Sequence, residues 1–166
     1  MDGLNIRRAR TRDLDAMTRI YNHYVANTPV TFDIGVYALD ARRSWLEGFD
    51  VVGRHQLFVA DKAGVVLGYA GSMRYGAKAA YETTVETTVY VEPTQTGQGL
   101  GSRLYAALFE ALSSADVHRA LAGITLPNEA SQALHRRFGF HSCGVLHEVG
   151  LKLDRYWDVE WLEKAL

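Results

Sequence analysis

Val85-Glu-Thr-Thr-Val-Tyr-Val-Glu-Pro-Thr-Gln-Thr-Gly-Gln-Gly-Leu-Gly-Ser-Arg-Leu-Tyr105 is the stretch that decides the fold. Residues 84–91 are rich in β-branched side chains and read as a strand. The strand runs into a loop in which Gly97, Gly99 and Gly101 carry no side chains. Backbone N–H groups can therefore turn toward one point. The helix expected from Leu100 to Leu112 aims its positive end at the same point. Strand, glycine loop and helix in that order form a cradle for a pyrophosphate-bearing ligand.

Alternation along the strand puts Val85, Thr87, Val89 and Val91 on one face and Glu86, Thr88 and Tyr90 on the other. Glu86 is an acid in an otherwise uncharged run. At about 3.3 Å per residue it stands roughly 15–20 Å from the glycine loop. That is too far for a phosphate contact. It suits a ligand with a long arm whose reactive end reaches back along the strand, as in coenzyme A. A strand carboxylate partly removed from water has a raised pKa and can accept a proton near neutral pH. The bland alternatives are a plain glycine turn and a solvated acid. The dinucleotide fingerprint fits poorly, because the loop reads Gly-x-Gly-x-Gly and lacks the acid expected downstream.

The rest of the chain gives the setting. Its 166 residues are 48% apolar and 22% charged, enough for one domain, 1–166, with a sizeable core. The formal net charge of −1 offers no basic surface for nucleic acid. The single Cys143 excludes an internal disulfide and a multi-cysteine metal site, and no metal is expected. No apolar run approaches the roughly 18 residues that span a membrane. The start lacks the apolar core of a signal peptide, so the chain is read as cytoplasmic.

Leu4 to Ala9 reads as a first strand. Thr11 is expected to cap a helix with apolar positions Leu14, Met17, Ile20, Tyr21, Tyr24 and Val25. A second helix is expected over Ala41 to Val52, burying Trp45, Leu46 and Phe49. Gln56 to Ala60 and Val65 to Arg74 read as a hairpin around Asp61-Lys62-Ala63-Gly64. Arg119 to Leu126 is a further strand. Asn128 can cap a helix that ends near Phe138-Gly139. Gly144 to Leu153 and Tyr156 to Glu163 are the last strands. The sum is an α/β (α+β) sandwich, a mixed sheet with helices on its faces. Asn128 and His135 lie two helical turns apart and share a face. Each has an ordinary reading beside a functional one, a cap and a surface histidine.

With these elements in order, the chain resembles the GNAT superfamily of N-acetyltransferases, and within it the phosphinothricin and methionine-sulfoximine N-acetyltransferases. The residues that carry the resemblance span nearly the whole chain. They are Ile20-Tyr21-Asn22-His23-Tyr24-Val25, Thr84 to Val91, Gly97 to Ser102, Leu126 to Ser131 with Leu134-His135, Phe138-Gly139-Phe140, Val149 to Lys152, and Tyr156 to Val159.

The resemblance implies a mostly antiparallel sheet of about six to seven strands flanked by about four helices. It implies direct acyl transfer from acetyl-CoA to the α-amino group of a small amino-acid-like acceptor. Val89, Tyr90 and Val91 would hold the cofactor arm, with backbone donors polarising the thioester. Gly97, Gln98, Gly99, Leu100, Gly101 and Ser102 would hold the pyrophosphate, and Asn128 would touch the arm. Glu86 would be the general base, and His135 a general acid near the leaving thiol. Arg74, with Lys78 beside it, would meet an acceptor carboxylate. Thr87 and Phe32 would line the acceptor site, walled by Tyr21 and Asn22. A homodimer is implied, with Trp157 and Trp161 exposed.

The chain departs from the family pattern at Thr96, where Gln or Arg is usual and Gln95 stands beside it. It departs again in a longer segment from Arg74 to Glu86, and at Leu151, where an aromatic is usual. The alternative readings are acetylation of another amine (a polyamine, an aminoglycoside or a protein N-terminus) and a non-catalytic CoA-binding module. The cations Arg74 and Lys78 argue against a polyamine or aminoglycoside pocket, which should be rich in acids.

Overall fold

In the computed structural model, which describes residues 3–166, the strand of the opening motif is β4, Thr84–Val91. The elements run β1 Leu4–Arg8, α1 Leu14–Asn27, α2 Leu39–Glu47, β2 Leu57–Lys62, β3 Val65–Arg74, β4, α3 Leu100–Leu112, β5 Arg119–Thr125, α4 Glu129–Arg137, β6 His141–Lys152 and β7 Arg155–Ala165. One seven-stranded sheet has the order β1-β2-β3-β4-β5-β7-β6. Every pairing is antiparallel except β4 with β5. That parallel pair is bridged by the glycine loop and α3, as a parallel connection requires a crossover.

Two cores sandwich the sheet. On one face α3 buries Leu104, Tyr105, Leu108 and Leu112 completely, at spacings of one helical turn, against Val85, Ala120 and Ala122. Leu134 and Phe138 of α4 join this side. On the other face Met17 and Ile20 of α1 meet Leu57, Val59, Val66 and Tyr69, with Trp45, Leu46, Phe49 and Tyr90 packed around them. Successive β4 residues feed opposite cores, Val85 and Val89 one side, Tyr90 the other.

Several boundaries differ from the sequence reading. A 3-10 turn, Thr11–Asp13, precedes α1, and Thr11 does not cap it. The nearby carboxylate, Asp13, accepts instead from the Arg10 N–H (2.8 Å) and pairs with Arg7 (2.7 Å), which also binds Asp61. The second helix starts two residues before Ala41 and stops at Glu47, where Gly48 ends it, and Trp45, Leu46 and Phe49 are only half-buried. The β2–β3 hairpin turns on Ala63 and Gly64 alone, both at positive φ (52° and 86°), with Lys62 opposite Val65. This is the mirror-image twist that suits a tight hairpin. Trp157 and Trp161 are half-buried, not exposed. Among the described residues no helix is long and apolar enough to cross a membrane.

Candidate active site

The site exists because β4 and β5 part. Their pairing covers only Thr84↔Arg119, Val85↔Ala120 and Glu86↔Leu121, although both strands continue. β3 stays paired along β4 as far as Val91. The β4 edge facing β5 therefore has no partner strand beyond Glu86. Unpaired backbone groups on an open edge invite an extended ligand to complete the ladder. Thr87 marks the fork: its hydroxyl donates to the Leu121 carbonyl (3.2 Å). Downstream the split opens a cleft of about 870 Å3.

One end of the cleft is the glycine loop. Gly97 and Gly99 have φ of 75° and 76°, and a Cβ on either would meet nothing within 4 Å. These left-handed positions favour glycine. Gly99 is the N-cap of α3, no side chain caps that end, and no acid lies in the first turn. The free N–H groups and the helix dipole are thus left for a bound anion. Leu100, Gly101 and Ser102 line the cleft with them, as do Gln95 and Thr96. Gln98 does not; its amide donates to Gln95 Oε1 (3.2 Å). This open edge and this cradle fit a pantetheine arm and a pyrophosphate, two of the parts of acetyl-CoA.

Glu86 lies at the other end, on the cleft wall. It is half-buried, and burial pushes its carboxyl pKa up. It has no ion pair and no side-chain hydrogen bond among the described residues, so its oxygens are available to a ligand. Thr87 also lines the cleft, but its side chain is buried on the α3 face, with Tyr105 Oη at 3.4 Å. Phe32 lines it too, with its ring over the Gly150 backbone. A Cβ at Gly150 would overlap one edge of that ring. Lys152, buried two residues on, donates to the Thr31 carbonyl (2.7 Å) and clamps the Phe32 segment to β6. Gly150→Ala is accordingly expected to push Phe32 aside and raise the acceptor KM about tenfold, a loss of the size of a lost apolar contact. The KM for acetyl-CoA should be unchanged, and steady-state kinetics with each substrate varied checks this.

Asn128 behaves as a cap, accepting from the Ser131 N–H (3.1 Å), and also faces the cleft. His135 is 3% exposed. Its Nδ1 sits 2.7 Å from the Ser131 carbonyl and its Nε2 2.8 Å from Tyr105 Oη. A carbonyl only accepts, so Nδ1 carries the proton and Nε2 accepts from the phenol. Burial pushes the imidazole pKa down, which keeps this neutral form, and pushes the Tyr105 phenol up. Tyr105 was missed in the sequence, where the sole signal was a hydroxyl in the Leu100, Leu104, Leu108, Leu112 stripe.

Arg74 and Lys78 are exposed and line no part of the cleft. The Arg74 guanidinium donates to the Ala77 carbonyl (2.7 Å). Asn22 clips the backbone of Tyr37, donating to its carbonyl and accepting from its N–H (both 2.9 Å), rather than walling the pocket.

Comparison with known proteins agrees with this geometry. Residues 6–161 match the acetyltransferase (GNAT) domain model. A phosphinothricin N-acetyltransferase of Streptomyces coelicolor is 51% identical over 98% of this chain and 96% of its own. An L-methionine sulfoximine/L-methionine sulfone acetyltransferase of Pseudomonas paraeruginosa is 36% identical over 98% and 94%. The solved structure of yncA from Salmonella typhimurium with its cofactor acetyl-CoA superposes with a TM-score of 0.94 at 33% identity, covering 99% of this chain and 95% of that one. The open β4 edge, the glycine cradle and these matches together show that the chain belongs to the GNAT family of acetyltransferases.

Proposed function

We propose that this enzyme transfers the acetyl group of acetyl-CoA directly to the α-amino group of a small amino-acid-like acceptor of the phosphinothricin, methionine sulfoximine or methionine sulfone type. The single observation that carries the reading is Glu86. It is an unpartnered, half-buried carboxylate at the far end of the cleft from the glycine cradle. Val89, Tyr90 and Val91 offer the open strand edge to the pantetheine arm, and residues 97 and 99–102 receive the pyrophosphate. Glu86 takes a proton from the acceptor ammonium, whose ordinary pKa of about 7.7–8.0 leaves it mostly charged at neutral pH. The free amine attacks the thioester carbonyl, and backbone donors on β4 stabilise the oxyanion.

At the leaving-group end the proton donor is the Tyr105 phenol, which gives its Oη proton to the departing thiolate and regains one from solvent. His135 positions that phenol, accepting from Oη at Nε2 while its Nδ1–H is fixed on the Ser131 carbonyl. His135→Ala is expected to lower kcat at least tenfold, the low end of general acid catalysis, and to change the alkaline limb of the pH profile. An unchanged rate and profile would remove His135 from the mechanism.

The reading as a whole is tested by thiol release from acetyl-CoA against amino acids, their sulfoximine, sulfone and phosphinate analogues, and polyamines. Turnover with the amino-acid analogues supports it, and turnover confined to polyamines sinks it. The homodimer implied by the resemblance would cover the exposed Leu146, Val149 and Leu151 of β6, and light scattering decides the oligomeric state.

A further inference from the structure

Between β6 and β7 the register slips. Leu146 lies opposite Val159 and Gly150 opposite Trp157, so His147, Glu148 and Val149 face Asp158 alone. Extra residues in one strand leave backbone groups without ladder partners. The Asp158 side chain supplies one. Its Oδ1 accepts from the Glu148 N–H (2.8 Å), and its Oδ2 accepts from His147 Nδ1 (3.1 Å). The Glu148 N–H, more than His147, holds the Asp158 carboxyl below the usual carboxylate range. Glu148 itself sits at φ 51°, a conformation that a non-glycine residue keeps only where its surroundings hold it. The Asp158 carbonyl meanwhile accepts from the Leu126 N–H (2.9 Å), just past the end of β5.

A slip of two residues keeps every side chain on its face but changes which residue stands at each place. In unbroken register Glu148 would oppose Trp157, and Gly150 would oppose Arg155. The bulge instead brings Gly150 opposite Trp157, and the Phe32 ring lies so close over Gly150 that even a Cβ would overlap it. The same shift brings Lys152 opposite Arg155. Trp157 Nε1 donates to the Lys152 carbonyl (2.8 Å), and Lys152 Nζ donates to the Thr31 carbonyl (2.7 Å). These contacts hold the segment between α1 and α2 against β6. Its other side is tied to α1, where the Tyr21 and Thr31 hydroxyls share a hydrogen bond (2.8 Å). The segment therefore spans the gap where β4 and β5 part, since α1 packs on the β2–β3–β4 half of the sheet and β6 belongs to the other half. Thr31 and Phe32 line the cleft, as do Leu146 before the bulge and Val149 within it.

We propose that Asp158 is a positioning residue: by holding the bulge at 147–149 it fixes the β6 register that seats Thr31 and Phe32 over the cleft, and so sets the space open to the acceptor. Asp158 itself lines no part of the cleft. The inference rests on the reading above, in which the acceptor binds at the Glu86 end.

The test is steady-state thiol release with methionine sulfoximine, joined to hydrogen exchange of the peptide covering residues 28–33. Asp158→Ala should raise the acceptor KM about tenfold, the low end of the worth of a hydrogen bond to a charged group, and speed exchange in that peptide by a similar factor. The KM for acetyl-CoA should hold. Asp158→Asn keeps an Oδ1 acceptor for the Glu148 N–H and should return the KM to within about threefold of wild type. His147→Ala removes only an exposed partner and should change neither readout. Asp158→Ala and Gly150→Ala act through the same ring, so the double variant should stay near a tenfold loss, whereas independent effects would multiply to about 100-fold and overturn the route through Phe32. An unchanged acceptor KM in Asp158→Ala overturns the proposal. So does an equal rise in both KM values with a lower melting temperature and no rescue by Asn, which would make Asp158 a general structural residue. If Asp158→Ala does not fold, Asp158→Ser decides by the same criteria, because its hydroxyl stops one bond short of the carboxylate oxygens. If no amino acid is turned over, the reading above fails and exchange still reports on Asp158. Faster exchange in Asp158→Ala that Asn reverses upholds the role, and unchanged exchange overturns it.

Discussion

Glu86→Gln should lower kcat by about 10²- to 10⁴-fold, the usual contribution of a positioned general base. The dissociation constant for acetyl-CoA should not move, because the cradle lies at the other end of the cleft. Burial is the cause of the raised Glu86 pKa, and no cation offsets it. The base form exists above that raised value, so kcat/KM should rise with pH through it and again as the acceptor ammonium deprotonates. Gln should erase the first limb and keep the second.

Stability should move the other way. A carboxyl whose folded pKa lies above its unfolded pKa stabilises the fold only at acid pH. The benefit fades as pH rises through the window between the two values, and at neutral pH the charged form is a net cost. Glu86→Gln should therefore melt at or above the wild-type temperature at pH 7 while losing most of its turnover. A variant that keeps the wild-type rate would take Glu86 out of the chemistry. One that loses both rate and melting temperature would make it a structural residue.

The parts of this protein legible in its sequence are those governed by local period. The alternation of residues 85–91 assigned each side chain to its face, and the structure puts Val85 against α3 and Tyr90 against α1. The three glycines and the following helix located the cradle because positive φ and missing side chains are local properties. Legibility failed where a distant partner decides. The fork after Glu86 depends on β5, which leaves β4 after Leu121 while its other edge stays paired with β7 through Thr125, and no pattern within β4 reveals that. Arg74 was the expected anion site because it is cationic and precedes the Glu strand, yet its guanidinium turns to Ala77. The tautomer of His135 is set locally by the Ser131 carbonyl, but the phenol that Nε2 receives belongs to Tyr105, thirty positions away.

Gly99→Val should weaken acetyl-CoA binding about 100-fold without unfolding the protein. At φ 76° a β-branched residue is strained by roughly 1–2 kcal/mol. Strain alone, if relieved by a shift of the loop, moves the α3 N-terminus off its target. The second effect is occupation. Nothing lies within 4 Å of a Cβ at this position, so an added side chain starts into open space at the helix N-terminus, where the pyrophosphate would sit. Fold stability should hold because Leu104, Tyr105, Leu108 and Leu112 anchor α3 in the core, far from the exposed loop. Gly99→Asn separates the two effects, since asparagine tolerates the left-handed region better than valine, and it should bind between wild type and Gly99→Val. The decisive control is the donor. S-acetylpantetheine lacks the pyrophosphate but keeps the arm that would lie along β4, so Gly99→Val should leave its kcat/KM near wild type while that for acetyl-CoA falls about 100-fold, or about 2.7 kcal/mol. Equal losses with both donors would mean that residues 97–102 shape the whole cleft and do not serve the pyrophosphate.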